Sequence, residues 1–421
     1  MSNERTITIG IVAGEISGDA LGGDFMQKMN AVYPNIRWVG VGGQAMTKQG
    51  LTSLIDMSRL SVMGLLEVVK HLPDLLRAKK QILSELLNQN IDIFVGIDAP
   101  DFNLRLSKSL KNQGIFCVQY VSPSIWAWRE NRIHHIKAAT DLVLCLFPFE
   151  LDVYKKHNHP AVCVGHPLLN QLHGDERDHA VRLRELLDSQ PNNDKLACLS
   201  NAQHKICLMA GSRNTEIHAI LPLLLDSAEQ ICQTLPACQF ILPVVSDAHA
   251  DLVKQLISQK QPELLNKIHI LSADNNALTA QTNPANKPPS LSHLCMNVSD
   301  VVLLASGTAT LECLLLERPM VVVYKVNRLT FAIAKQLVKI PYVSLPNILS
   351  HQQTGQAIVP ELIQQDATAC RVSQAALAIL DNPNAQIDKL TQTNKALRAS
   401  SQHNPAHAVL NAYLADETEN E

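Results

Sequence analysis

The run Leu303-Leu304-Ala305-Ser306-Gly307-Thr308-Ala309-Thr310-Leu311-Glu312 joins an apolar strand, a small-residue turn and the opening of a helix. That arrangement lets backbone amides at Ser306, Gly307 and Thr308 approach a phosphate at a helix N-terminus. Glu312, farther into the helix, offers a carboxylate to ribose hydroxyls. The same pattern also serves an ordinary strand-to-helix turn capped by Ser306 or Thr308. A second strand, loop and helix start at Leu208-Met209-Ala210-Gly211-Ser212-Arg213-Asn214-Thr215-Glu216-Ile217. The planar fork of Arg213 matches a diphosphate leaving group; otherwise Arg213 lies in solvent beside a capped helix start. Two anion-friendly loops in one half favour the first reading, because a nucleotide diphosphate takes contacts from more than one side.

Carboxylates gather nearer the N-terminus. Gly96-Ile97-Asp98-Ala99-Pro100-Asp101-Phe102-Asn103 follows an apolar strand. Pro100 favours an extended Ala99, holding Asp98 at the strand's carboxyl end, where it can act as a general base. Asp101 is the candidate cap of the next helix. A metal is disfavoured, since no D-x-D occurs anywhere in the chain. Val12-Ala13-Gly14-Glu15-Ile16-Ser17-Gly18-Asp19 places Glu15 and Asp19 where they could accept from sugar hydroxyls, or where Ser17 or Asp19 caps a helix. Neither this run nor Gly40-x-Gly42-Gly43 has the G-x-G-x-x-G spacing of a dinucleotide site, so no nicotinamide cofactor is indicated.

Trp126 and Trp128, in Val121 to Arg129, suit apolar faces of sugars or acyl chains, or pack beneath the sheet. Asn347, after Pro346, is a turn residue that is either structural or reaches a ligand. Leu60 to Arg77 is more apolar than a surface helix needs, with Lys70, Arg77, Lys79 and Lys80 around it. Its Val62, Met63, Leu65, Leu66, Val69 and Leu72 are candidates for contact with acyl chains or an anionic membrane, against the commoner outcome of a buried helix.

These groups need a scaffold, and the chain supplies alternating strands and helices. Ile7 to Val12, Ile36 to Val41, Ile91 to Ile97, Phe116 to Val121, Leu142 to Leu146 and Ala161 to Val164 read as parallel strands, with a helix over Gly18 to Asn30. A polar linker, His173 to Gln203, carries one helix around Ala180 to Leu187. Lys205 to Met209, Gln239 to Pro243, Ile268 to Leu271, Val301 to Ala305 and Met320 to Tyr324 repeat the strand pattern. Ala273 to Ser292 reads as an exposed, mobile loop, and helices from Ala369 end in an acidic tail, Asp416 to Glu421. The expectation is an α/β protein of two Rossmann-like parallel-sheet domains facing a cleft, 1–175 and 176–370. Residues 371–421 are expected to pack back on the first domain.

The 421 residues, 46% hydrophobic with a formal charge of -3, describe a globular chain without the basic surface of a nucleic-acid binder. Ten scattered cysteines without a C-x-x-C pair fit buried thiols in a reducing cytosol better than disulfides or zinc. The N-terminus lacks a signal-peptide core, and no segment reaches the roughly 18 apolar residues of a membrane span. The expected location is cytoplasmic, at most peripheral to a membrane.

Val12 to Asp19, Gly96 to Asn103, Val121 to Arg129, Gly211-Ser212-Arg213, Leu304 to Glu312 and Ser344 to Asn347, in this order, resemble the lipid-A-disaccharide synthases, inverting glycosyltransferases of the GT-B fold. The resemblance spans nearly the whole chain. Departures are Met209-Ala210, where the family has Leu-Pro, and the Ala273 to Ser292 loop, which looks like an insertion. The resemblance implies transfer of 2,3-diacylglucosamine from UDP-2,3-diacylglucosamine to 2,3-diacylglucosamine 1-phosphate at the inner-membrane surface, without metal or cofactor. It further implies Asp98 as base, Arg213 with Ser212 and the Ser306 to Thr308 amides on the diphosphate, Glu312 on the ribose, and Glu15 and Asn347 orienting sugars. Two other classes stay open: a GT-B relative such as a UDP-sugar epimerase, and a non-enzymatic nucleotide-sugar or lipid-binding protein.

Overall fold

The strand-forming runs are short, apolar and bounded by turn residues, which suits strands covered on both faces. A computed structural model of the chain describes residues 5–60, 65–173, 179–190, 194–275, 290–326, 331, 340–401 and 403–420. Seven strands form the first sheet: β1 (Ile7–Ala13), β2 (Ile36–Val41), β3 (Thr52–Ser53), β4 (Ile93–Ile97), β5 (Phe116–Tyr120), β6 (Leu142–Cys145) and β7 (Ala161–Cys163). They are all parallel, in the order β3-β2-β1-β4-β5-β6-β7. Six form the second: β8 (Lys205–Met209), β9 (Gln239–Val244), β10 (Ile268–Ser272), β11 (Val301–Ala305), β12 (Met320–Tyr324) and β13 (Glu361–Ile363), in the order β10-β9-β8-β11-β12-β13. Both orders are doubly wound, with the first strand of each sheet third from one edge and connections leaving in opposite directions.

Crossover helices complete each half. In the first these are α1 (Ile16–Val32), α2 (Gln44–Thr47), α3 (Leu65–Asn88), α4 (Pro100–Lys111), α5 (Ile133–Lys137) and α6 (Leu151–Lys156). Ala78, Ile82 and Leu86, spaced i, i+4 and i+8, seat the second half of α3 against Val39, Val41 and Phe94. In the second half, α7 (His179–Ser189) precedes β8, and α8 (Asn214–Thr234), α9 (Asp247–Lys260), α10 (Leu291–Asn297) and α11 (Thr308–Leu315) follow. One cluster unites Ile206 and Leu208 of β8, Leu303 of β11 and Val321 and Val323 of β12 with the inner face of α8.

Contacts divide the chain into a unit of Met1–Pro167 with Leu397–Glu421 and a unit of Leu168–Ala396. The segment after residue 370 therefore does not return to the first half as one piece. Val372, Ala376 and Ile379 of the helix Ala369–Asp381 join the second core. The chain from Leu397 belongs to the first unit, where the helix Pro405–Asn420 packs on the first sheet, with the Tyr413 ring 5.8 Å from Phe116 and Glu417 2.8 Å from Arg5. Its last turns absorb the acidic stretch expected as a tail.

Candidate functional site

In the second sheet β8 and β11 are neighbours, with Leu304 opposite Met209, and the connections from them run to opposite edges. Turns that leave such a pair open a crevice at the strands' carboxyl ends. After β8 the chain needs Gly211: its φ is +110°, and a Cβ there would lie 2.5 Å from the Glu216 Cβ. Glu216 fills that space and locks the turn. One carboxylate oxygen accepts from the Ser212 N–H at 2.9 Å and the Arg213 N–H at 3.3 Å, while the other lies 3.6 Å from the Arg213 guanidinium. Ser212 and Arg213 thus meet the crevice with their side chains, and the Arg213 side chain is 63% exposed. Glu216, three residues after the helix cap, is a capping signal that sequence reasoning passed over.

The turn after β11 differs from expectation at Ser306. Its N–H donates to the Val323 carbonyl at 3.0 Å as part of the sheet, and its hydroxyl donates to the Val343 carbonyl. The Ser306 amide is therefore occupied, and the amides that a phosphate could approach are those of Gly307, Thr308 and Ala309 in the first turn of α11. Thr308 opens that helix, and the Thr310 hydroxyl donates to the Gly307 carbonyl at 2.8 Å.

Asn347 also departs from expectation. It lies in the first turn of the helix Leu345–Thr354, only 1% exposed. Its amide donates to the Val359 carbonyl and to Glu361, and its oxygen accepts from the Ile358 and Val359 N–H groups. All of its hydrogen-bonding directions are used inside the protein, so it does not reach a sugar. Glu361 accepts as well from the Val343 N–H and from Ser344, and Val343 is the residue that receives the Ser306 hydroxyl. Asn347 is thus a positioning residue, tied through Glu361 to the Ser306 turn.

Glu312 lies one turn into α11, its carboxylate 3.5 Å from the His293 imidazole. His293 belongs to α10, which begins within the segment read as an open loop and is capped by Ser290. A cavity of about 970 Å³ collects these parts, lined by Ser212, Arg213, Gly307, Thr308, Glu312 and Lys325 among others. That volume lies at the upper end of the range for small-molecule sites. Lys325, next after β12, was missed although it stands at a strand's carboxyl end, a placement legible in the sequence. His293 had no comparable signal.

The first sheet has its own divergent pair, β1 and β4, with Ala13 opposite Ile97. Glu15 stands at the start of α1, partly exposed, with no side-chain cap bond. Asp19 is not a ligand for a sugar: it is 6% exposed and accepts from the Gly43, Ala45 and Met46 N–H groups, capping α2. After β4, Asp98 and Ala99 have φ of +49° and +41°, and Ala99 is left-handed rather than extended before Pro100. Two such residues cost roughly 1–3 kcal/mol each. Three bonds hold them: the Asp98 N–H donates to the Tyr120 carbonyl, while the Asn103 and Gln119 amides donate to the Asp98 carbonyl. Gly96 makes room, since a Cβ there would lie 2.8 Å from the Asn103 Cβ.

Asp98 remains exposed by surface area, yet crowding protein atoms strip water from its carboxylate. That desolvation raises its pKa above the ordinary 3.8, against a smaller lowering by the Ala99 N–H. Asp101 in the first turn of α4 pairs with Arg132 at 2.7 Å. Trp126 takes the structural role, its ring 4.5 Å from Phe149 and its side chain bonded to the buried Glu150. Trp128 carries the Arg129 guanidinium 4.1 Å above its ring.

Val62 and Met63 lie outside the described residues, as do the side chains of Leu65, Leu66 and Val69. Leu72 of α3 is 42% exposed and Leu76, one turn on, 54%. Arg59 grips Asp74 beside them through two hydrogen bonds. Among the described residues no helix is long and apolar enough to cross a membrane, and no His, Cys, Asp and Glu cluster could hold a metal.

Comparison with known proteins agrees with this architecture. The family model described as lipid-A-disaccharide synthetase matches residues 9–412. The lipid-A-disaccharide synthase of Acinetobacter baylyi is 40% identical over 408 residues, 96% of each chain. That of Pseudomonas aeruginosa is 40% identical over 406 residues, 96% of this chain and 97% of its own. Among solved structures, the UDP-GlcNAc 2-epimerase of Neisseria meningitidis bound to UDP-GlcNAc aligns over 98% of both chains with a TM-score of 0.53 at 12% identity, a likeness of the GT-B fold. With a match from residue 9 to residue 412 and two near-full-length relatives, the chain belongs to the lipid-A-disaccharide synthase family.

Proposed function

We propose that this chain transfers 2,3-diacylglucosamine from UDP-2,3-diacylglucosamine to 2,3-diacylglucosamine 1-phosphate. The products are the β-1,6-linked disaccharide 1-phosphate and UDP, with inversion at the anomeric carbon. The observation that carries this reading is the 40% identity to lipid-A-disaccharide synthases over 96% of the chain. The second sheet's cavity supports it, because two strand-end turns converge on a space able to take a nucleoside diphosphate. The epimerase reading rests on a fold likeness at 12% identity alone.

Each step is assigned to residues. Asp98 removes the proton of the acceptor 6-hydroxyl as that oxygen attacks the anomeric carbon. Its raised pKa makes it a stronger base than an ordinary carboxylate. Arg213 and the free amides of α11 receive the negative charge that develops on the departing diphosphate. Glu312 holds the ribose with the carboxylate edge that His293 leaves open, Ser212 lends its hydroxyl to the phosphates, and Glu15 orients a sugar.

The membrane role follows from the substrates, whose acyl chains lie in a bilayer. Leu72 and Leu76 present an apolar edge on α3 in reach of the basic residues Arg77 and Lys80. Protein supplied with both diacyl monosaccharides should yield a β-anomeric product by NMR and consume no UDP-sugar when acceptor is omitted. An epimer formed without acceptor would overturn the transferase. In flotation with anionic vesicles, Leu72→Asp with Leu76→Asp should lower the bound fraction, and equal binding would end the membrane reading.

A further inference from the structure

Among the described residues, four formally charged side chains line the second sheet's cavity: Arg213, Lys325, Glu216 and Glu312. The two cations and two carboxylates cancel. The Arg213 charge is already shared with Glu216 at 3.6 Å, and the Glu312 carboxylate lies 3.5 Å from the His293 imidazole. Without Lys325 this described lining would carry a net negative charge, which opposes entry of a diphosphate.

Lys325 is placed to prevent this. In the sheet Ala305 stands opposite Val323, and the Ser306 N–H donates to the Val323 carbonyl, so Lys325 follows directly alongside the Ser306-Gly307 turn. The backbone just beyond it is held by Gln364, whose amide donates to the Val326 carbonyl at 3.0 Å. The lysine is half-buried, and no hydrogen bond or ion pair engages its ammonium among the described residues. A lysine of that kind, in a cavity with two helix starts, is available to an incoming anion.

We infer that Lys325 binds the β-phosphate of the UDP leaving group, as a second cation beside Arg213. This rests on the transferase reading. As the sugar–oxygen bond breaks, its electron pair goes to the β-phosphate oxygen, and the Lys325 ammonium takes up that charge while Arg213 remains partly committed to Glu216.

Calorimetric titration of the full chain with UDP and UMP tests this, because only UDP has the β-phosphate. Lys325→Gln should weaken UDP binding roughly 10- to 100-fold, the fold-change of one charge-assisted hydrogen bond, and leave UMP binding close to wild type. Lys325→Arg should restore most of the preference for UDP. If Lys325→Gln weakens both ligands equally, or neither, the assignment falls, while tight binding of UDP to the wild type still upholds the nucleotide site. If the wild type binds no UDP, the transferase reading falls and the role of Lys325 with it.

Discussion

At the turn after β4 two residues with side chains, Asp98 and Ala99, take positive φ angles and are held there by bonds from Tyr120, Asn103 and Gln119. At the turn after β8 the positive φ falls on Gly211, and Glu216 occupies the space beside it. The first turn accepts strain to present one partly desolvated carboxylate. The second avoids strain to present an arginine and a helix start. On the proposed roles, the contrast separates proton transfer from charge neutralisation: a strained backbone would fix a single reacting atom, whereas a relaxed glycine turn would let several donors surround an anion.

Altering one turn and reading the ligand of the other separates the two roles. Asp98→Asn should lower turnover by about 10²- to 10⁴-fold, the usual contribution of a general base, with UDP affinity unchanged in calorimetry. A parallel loss of UDP affinity would merge the two roles. Arg213→Ala should cost about 10²- to 10³-fold in turnover, and UDP binding should weaken with it. An effect on turnover with intact UDP binding would shift Arg213 away from the diphosphate.

Asn347→Ala tests support rather than contact. Removing a buried amide that serves Val359, Glu361 and Ile358 should destabilise the fold by about 1–3 kcal/mol in denaturant titration. UDP affinity should fall only modestly, through the Ser306 turn. A large loss of turnover at unchanged stability would return Asn347 to the substrate.

The smallest effects concern pH. Because the folded pKa of Asp98 is raised, kcat/KM should climb with pH through a midpoint above 3.8, and Asp98→Asn should abolish that limb. The folded protein holds this proton more tightly than the unfolded chain, so the stability it contributes is present at low pH and lost as pH rises through the raised value. Asp98→Asn should therefore melt no lower than wild type at pH 7. A lower melting point would show that the ionised carboxylate supports the fold.

Strand positions were legible in the sequence, because each buried strand is a short apolar run between turn residues. β3 and β13 were not, since β3 is only the polar pair Thr52 and Ser53, and β13 is three residues that open on the charged Glu361. That Asp98, Arg213 and Glu312 lie beyond the carboxyl ends of β4, β8 and β11 could be read from the apolar runs before them. Residues whose role depends on partners distant in sequence could not. Asp19 could be read as a sugar acceptor or as a helix cap, and packing makes it the cap of α2 some 24 residues away; Asn347 could be read as structural or as reaching a ligand, and packing closes it in a knot with Glu361. Side-chain types announce chemistry, but which atoms are already bonded is decided by tertiary packing.

The most direct test of the account is the ratio of UDP released to disaccharide 1-phosphate formed when the purified chain receives UDP-2,3-diacylglucosamine and 2,3-diacylglucosamine 1-phosphate. The account predicts one UDP for each disaccharide, and no UDP when the acceptor is omitted. UDP released without disaccharide, or no UDP with both substrates present, would contradict it.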